Sequence, residues 1–163
     1  MSVTMEEFFV EGLRKMYYTE QQLVDALEEL EGGSTDDEVK QAFSEHRGET
    51  QEHVQRLEEA FESVGEDPRA EEDAIVDAMI QEHEEFVGRD PDEDVLERFN
   101  IAAGQKSEHY EIAAYGNLIP IADELGHDGV ADTLEQNLRE EQDALEQLSE
   151  IGEEFDRSDD PGV

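Results

Sequence analysis

The sequence predicts an all-α fold: an antiparallel bundle of four long helices, with a short crossover helix between the second and third long ones. Three observations predict it. Apolar residues recur every three or four positions over long stretches, the period of a helix with one buried face. Breakers bearing Gly and Pro cut the 163 residues into five such stretches. No segment sustains period-two alternation of β-branched residues, so strands have no support.

The first helix carries the stripe Phe9, Leu13, Met16, Glu20, Leu23, Leu27, Leu30 and ends at Gly32-Gly33-Ser34-Thr35. Thr35 then reads as the N-cap of the second helix, with Glu38 three positions on to complete a capping box. That helix presents Val39, Phe43, His46, Glu49, His53, Leu57, Phe61 and Val64, and Gly65-Glu66-Asp67-Pro68 stops it. The third stretch is short, closing at Gly88-Arg89-Asp90-Pro91. Ile75, Ala78, Met79, Phe86 and Val87 give it one narrow apolar face, as expected of a surface helix that crosses the bundle. The fourth helix shows Ile101, Gly104, Glu108, Glu111, Tyr115, Leu118, Ala122 and Leu125, with Pro120 expected to kink it near Gly116. After Gly126-His127-Asp128-Gly129 the fifth reads Val130, Leu134, Leu138, Glu141, Leu145, Leu148, broken once, at Glu141. Short connections between long helices imply antiparallel neighbours. The expected division is one bundle over residues 1–155 and a flexible acidic tail over 156–163.

Asp and Glu number 48 against 11 Lys and Arg, a net charge of −37, and only Lys15, Lys40 and Lys106 are lysines. A nucleic-acid backbone needs clustered cations that release its counterions, so this composition argues against nucleic acid as a partner. It argues against an anionic membrane surface for the same reason. So much Asp and Glu with so little Lys reads as adaptation to a salt-rich cytoplasm, where screening relieves self-repulsion. With no cysteine, disulfides, thiolate metal sites and thiol nucleophiles are excluded. The first residues lack a basic and then apolar leader pattern, and no apolar run reaches ~18 residues. A soluble cytoplasmic protein is expected.

Charge interrupts the apolar stripes near the middle of all four long helices: at Glu20, at His46, Glu49 and His53, at Glu108 and Glu111, and at Glu141. Midpoints of antiparallel helices lie at similar depth, so these groups should converge. Unpaired, such a cluster costs several kcal/mol per ion in desolvation. Divalent cations bridged by carboxylate oxygens would resolve that conflict. Buried pairing with Arg47, Arg139 or Lys106 is the competing explanation. Spacing also hints at a duplication: Glu20 precedes Glu49 by 29 residues, and Glu111 precedes Glu141 by 30. Tyr17, Tyr18, Tyr110 and Tyr115 read as packing aromatics, and His83, His109 and His127 as surface or structural residues.

The chain resembles the ferritin-like YciE/YciF group, formerly the domain of unknown function DUF892. The resemblance rests on Tyr18-Thr19-Glu20-Gln21-Gln22-Leu23, His46-Arg47-Gly48-Glu49-Thr50, Arg56-Leu57-Glu58 and above all Glu108-His109-Tyr110-Glu111-Ile112-Ala113-Ala114-Tyr115-Gly116. It extends from about residue 6 to 152. Ferritin-like di-metal proteins take a Glu from each of two helices and a Glu-x-x-His from each of the other two. Here Glu49 is followed by His53 at the fourth position, and Leu145 stands where a second histidine might follow Glu141. The resemblance implies two metal ions, iron or else manganese, held by Glu20, Glu49, His53, Glu108, Glu111 and Glu141, with His46 as a further ligand or its support. Glu111 would be an extra carboxylate, an arrangement similar to rubrerythrin's. The implied activity is ferroxidase or catalase-like, acting on Fe(II) with O2 or H2O2 in stress protection, with Glu20, Glu49, Glu108 and Glu141 at the reacting centre. The alternative is a non-enzymatic helical stress or interaction protein whose buried charges pair without metal. Nothing resembles a cage-forming extra helix, so a monomer or homodimer is expected.

Overall fold

The computed structural model describes residues 1–158 and has five helices: α1 Met5–Gly33, α2 Asp37–Ser63, α3 Ala74–Val87, α4 Glu93–Glu124 and α5 Asp128–Ser158. No strand occurs among the described residues. The expected tail begins inside α5, which takes in Asp156; residues 159–163 lie outside the described residues.

Local chemistry sets the helix ends. Thr4 and Glu7 form a capping box at the start of α1, each side chain accepting the other's backbone N–H, at 3.1 and 2.8 Å. At α2 the expected cap is displaced by one residue. Asp36 is the N-cap, its carboxylate accepting from Glu38 and Val39 N–H. Thr35 is not free to cap, because its N–H and hydroxyl both donate to Glu97 of α4. Gly65 and Gly126 terminate α2 and α4 with φ of 78° and 80°, the left-handed geometry that glycine adopts without a Cβ clash. α4 runs unbroken through Pro120.

α1 packs beside α2, α2 beside α5, α5 beside α4 and α4 beside α1, which closes a four-sided bundle. Glu97 near the start of α4 meets the start of α2, and Leu118 near its end meets Gly12 near the start of α1. Adjacent helices are therefore antiparallel. The crossover is α3, which lies along the α1/α4 side: its N-cap Asp73 accepts from Thr19 and Tyr110, and its His83 contacts Asn100. Its inward face differs from the expected one. Val76 is buried and Met79, Ile80, His83 and Phe86 are partly buried, whereas Ile75, Ala78 and Val87 are exposed. The capped first turn sets this rotation, since the buried Asp73 fixes which side of α3 faces the bundle.

The apolar core is split. One cluster joins Phe9, Leu13, Met16, Leu57, Phe61, Tyr115, Leu118 and Leu134; a smaller one, towards the α1–α2 turn, joins Leu27, Leu30, Val39, Phe43, Ile101 and Leu148. Between them lies a buried polar layer. No helix of the described residues is long and apolar enough to cross a membrane.

Candidate metal centre

Each long helix sends polar side chains into that layer. From α1 comes Glu20, from α2 His46 and His53, from α4 Glu108 and Glu111, and from α5 Glu141; all are 5% exposed or less. The helical period selects them: His46 and His53 are seven apart, two turns on one face, and Glu108 and Glu111 are three apart.

Glu141 is the centre of the arrangement. Its Oε1 lies 3.1 Å from His53 Nδ1, and its Oε2 lies 3.3 Å from His46 Nε2. His53 Nδ1 also approaches Glu20 Oε2 at 3.4 Å, and His46 Nε2 approaches Glu108 Oε1 at 3.9 Å. Two groups result in which one ligand atom per residue falls close enough to share an ion: Glu20, His53 and Glu141, and His46, Glu111 and Glu141. Glu141 belongs to both. The imidazoles face the layer through different nitrogens, Nδ1 for His53 and Nε2 for His46.

Hydrogen bonding accounts poorly for these contacts. Of the ten buried side-chain N and O atoms without a hydrogen-bond partner among the described residues, eight are in this cluster. They include both oxygens of Glu111, both of Glu141 and both ring nitrogens of His53. Buried groups left so cost about 1–3 kcal/mol each, more when charged. Lone pairs that converge without alignment are what ligands around a cation look like, and three carboxylates with two imidazoles could hold a metal ion.

Protons partly stand in for that cation. Burial opposes protonation of His53, yet the facing carboxylates of Glu141 and Glu20 hold its pKa up at about 10. Burial likewise opposes protonation of His46, and Glu141, Glu49 and Glu108 hold its pKa well above the usual value. Glu108 is pushed up to about 8, chiefly by burial. Glu111 is also raised, by burial and then by Glu141 and Glu20. Glu141 is lowered: burial would raise it, but both histidines outweigh burial.

The sequence-predicted residues do not all meet. Glu20, His53, Glu111 and Glu141 fall in the two groups with His46, while Glu108 stands beside His46 at 3.9 Å. Glu49 lies outside the layer, its side chain 41% exposed and 3.3 Å from His46 Nδ1. The inward residue of that turn is Thr50, 1% exposed, whose hydroxyl donates to the His46 carbonyl oxygen at 2.7 Å. Glu49 and Thr50 lie about 50° to either side of the line through His46 and His53, and the Thr50 side is the one turned into the bundle. Asn137 is a second polar break in the α5 stripe, fully buried one turn before Glu141. Glu97 is fully buried too, and its spacing of four before Ile101 and seven before Gly104 was the signal for it.

A family profile described as "Domain of unknown function (DUF892)" matches residues 4–158. The chain belongs to the DUF892 family. This DUF892 chain is 33% identical over 139 residues to protein YciF of Escherichia coli K12, covering 85% of this chain and 84% of YciF. The solved structure of that stress protein superposes with a TM-score of 0.90 at 30% identity, over 96% of this chain and 99% of that one. YcfI of Rhodopseudomonas palustris, proposed as a structural protein, is 39% identical with a TM-score of 0.87, over 90% and 93%. The DUF892 match establishes the YciE/YciF kinship that the motifs around Glu20 and Glu111 resemble.

Proposed function

We propose that this chain is a di-metal oxidoreductase of the stress response, holding two iron or manganese ions with Glu141 as the shared ligand. Glu20 and His53 would complete one half of the site, and His46 and Glu111 the other, with Glu108 in reach of the second. The observation that carries the reading is that the two oxygens of Glu141 each face a different buried histidine, at 3.1 and 3.3 Å, and neither is hydrogen-bonded.

Two such ions, when bound, would supply a two-electron couple of the kind that converts H2O2 and two protons to two waters. The protein's part is positional and protonic. Thr50 and Glu49 hold His46, through its carbonyl and its Nδ1. The apolar clusters on either side exclude water from the layer. Glu108 and Glu111, kept protonated by burial, release protons as cations enter and can return them to a peroxide oxygen.

A metal-free structural protein is the second reading, favoured by the ability of two protonated histidines to offset buried carboxylates. Metal analysis of purified chain after reconstitution separates the two. About two ions per chain is expected, with Fe(II) oxidised on addition of O2 or H2O2. Glu141→Ala is expected to lose both ions, since it removes the ligand common to both groups. Full metal content in that variant would sink the di-metal reading.

A further inference from the structure

Arg56 reaches neither of the two ligand groups, yet two arms of side chains run from it towards Glu20 and His53 of one half-site, the first hydrogen-bonded throughout and the second ending in a 3.8 Å approach. In the first, Arg56 Nη1 donates to Asn137 Oδ1 at 3.0 Å, Asn137 Nδ2 donates to the Tyr115 hydroxyl oxygen at 3.3 Å, and Tyr115 donates to Glu20 Oε1 at 2.8 Å. In the second, Arg56 donates to Glu140, whose Oε2 lies 3.8 Å from His53 Nε2. Asn137 and Tyr115 are fully buried, and the Arg56 side chain is 18% exposed.

The direction of both arms follows from one fact: a guanidinium can only donate. The amide oxygen of Asn137 must therefore face Arg56, which fixes an orientation that an amide would otherwise be free to reverse. Its NH2 then faces Tyr115. With its oxygen occupied, the tyrosine turns its O–H to Glu20 Oε1, and Oε2 is left as the atom facing His53. Along the second arm, Glu140 accepts from Arg56 and places carboxylate charge 3.8 Å from His53 Nε2, beyond hydrogen-bond distance. That negative charge favours the neutral tautomer with its hydrogen on Nε2, which leaves the Nδ1 lone pair towards Glu20 and Glu141. The other half-site has no tie to Arg56: His46 Nδ1 pairs with Glu49 at 3.3 Å, and both Glu111 oxygens lack a hydrogen-bond partner.

We propose that Arg56, acting through Asn137, Tyr115 and Glu140, is a positioning residue that prepares Glu20 and His53, and not His46 and Glu111, to receive a cation. This rests on the di-metal reading. A purely structural tie between α2, α4 and α5 would affect both half-sites alike, and that difference is measurable.

Each half-site is isolated by deleting the other's histidine, and Mn(II) binding is followed by titration calorimetry on the full chain. In the His46→Ala background, Arg56→Gln is expected to weaken the remaining ion by ~10–100-fold, the usual cost of losing an outer hydrogen-bond partner. In the His53→Ala background the same substitution is expected to leave Mn(II) affinity unchanged. Tyr115→Phe cuts only the first arm by removing one hydroxyl, and should show the same selectivity if Arg56→Gln proves unstable by circular dichroism. Equal weakening in both backgrounds, or none in either, overturns the proposal while the unsubstituted chain still binds two ions. An unsubstituted chain that takes up no Mn(II) overturns the di-metal reading and this proposal with it.

Discussion

At Glu141 two influences of opposite sign act on one carboxyl: burial favours the protonated acid, and His46 and His53 favour the anion. The anion prevails, and the surplus protons sit on its neighbours, with His53 at about 10 and Glu108 at about 8. Both values exceed those of the unfolded chain, so without metal the folded state binds protons that the unfolded state has released. Stability then falls as pH rises through the interval between unfolded and folded values, from 4.5 to about 8 for Glu108 and from 6.5 to about 10 for His53. Above about pH 6 ordinary surface carboxylates are already ionised, so a scan from pH 6 to 9 isolates the buried cluster. Thermal melts in chelator are expected to show Tm falling steadily across that range, and melts with saturating Mn(II) to show the fall abolished, because the ion replaces the protons. A chelated protein whose Tm is flat or rises from pH 6 to 9 would contradict the proton-loaded cluster. Much of this centre was legible in the sequence, because charged residues at Glu20, His53, Glu111 and Glu141 interrupt otherwise apolar stripes. Glu49 was harder to place, since the choice between it and Thr50 turns on a difference of one residue in a helical face.

The elements repeat that contrast. The four stripes locate the long helices and their inward faces, because burial of Phe9, Leu57, Tyr115 or Leu134 dominates any competing preference. α3 was less legible, having only Val76 fully enclosed and a rotation set by the distant Thr19 and Tyr110 through Asp73. The cap at Asp36 depends likewise on Glu97, some sixty residues away in sequence. Gly104 shows a further effect that spacing alone conceals. A Cβ there would lie 2.7 Å from Leu148 Cδ2 and 3.0 Å from Phe43 Cε1, both of them in the smaller apolar cluster. Its absence lets α4 approach α2 and α5 next to the polar layer. Gly104→Ala gains up to about 1 kcal/mol of helix propensity but forces two buried side chains aside at about 1–3 kcal/mol. A net loss of about 1 kcal/mol is expected in urea unfolding, with Gly116→Ala, where a Cβ meets nothing within 4 Å, as the stabilising control. If both substitutions stabilise equally, close approach at Gly104 is not what the glycine provides.

Over the whole molecule the net charge of −37 is spread on a surface where α1 to α4 carry no basic residue in their last turns. Carboxylates near helix C-termini, among them Glu28, Glu31 and Glu62, meet the negative end of the helix dipole as well as each other. Several of the few cations are already engaged: Arg47 with Glu28 and Glu31, Arg56 with Glu52 and Glu140, Lys106 with Glu82. Exposed pairs of this kind contribute at most about 1 kcal/mol each and leave most of the repulsion uncompensated. Screening must do the rest. The Debye length falls from about 10 Å at 0.1 M salt to about 3 Å at 1 M, short enough to uncouple neighbouring helix surfaces. We propose on this basis that the protein is built for a salt-rich interior. For a chain of this size each kcal/mol shifts Tm by roughly 2–4 °C, and relief of several kcal/mol of repulsion corresponds to a rise on the order of 10 °C between 0.1 and 2 M KCl. The scan belongs in chelator at fixed pH, so that cation binding in the buried layer does not contribute, and with sucrose as a control for solvent exclusion alone. A melting temperature that does not respond to KCl under those conditions would mean that the carboxylates are spaced widely enough to tolerate one another in dilute buffer, and the salt-rich reading of the composition would have to be abandoned.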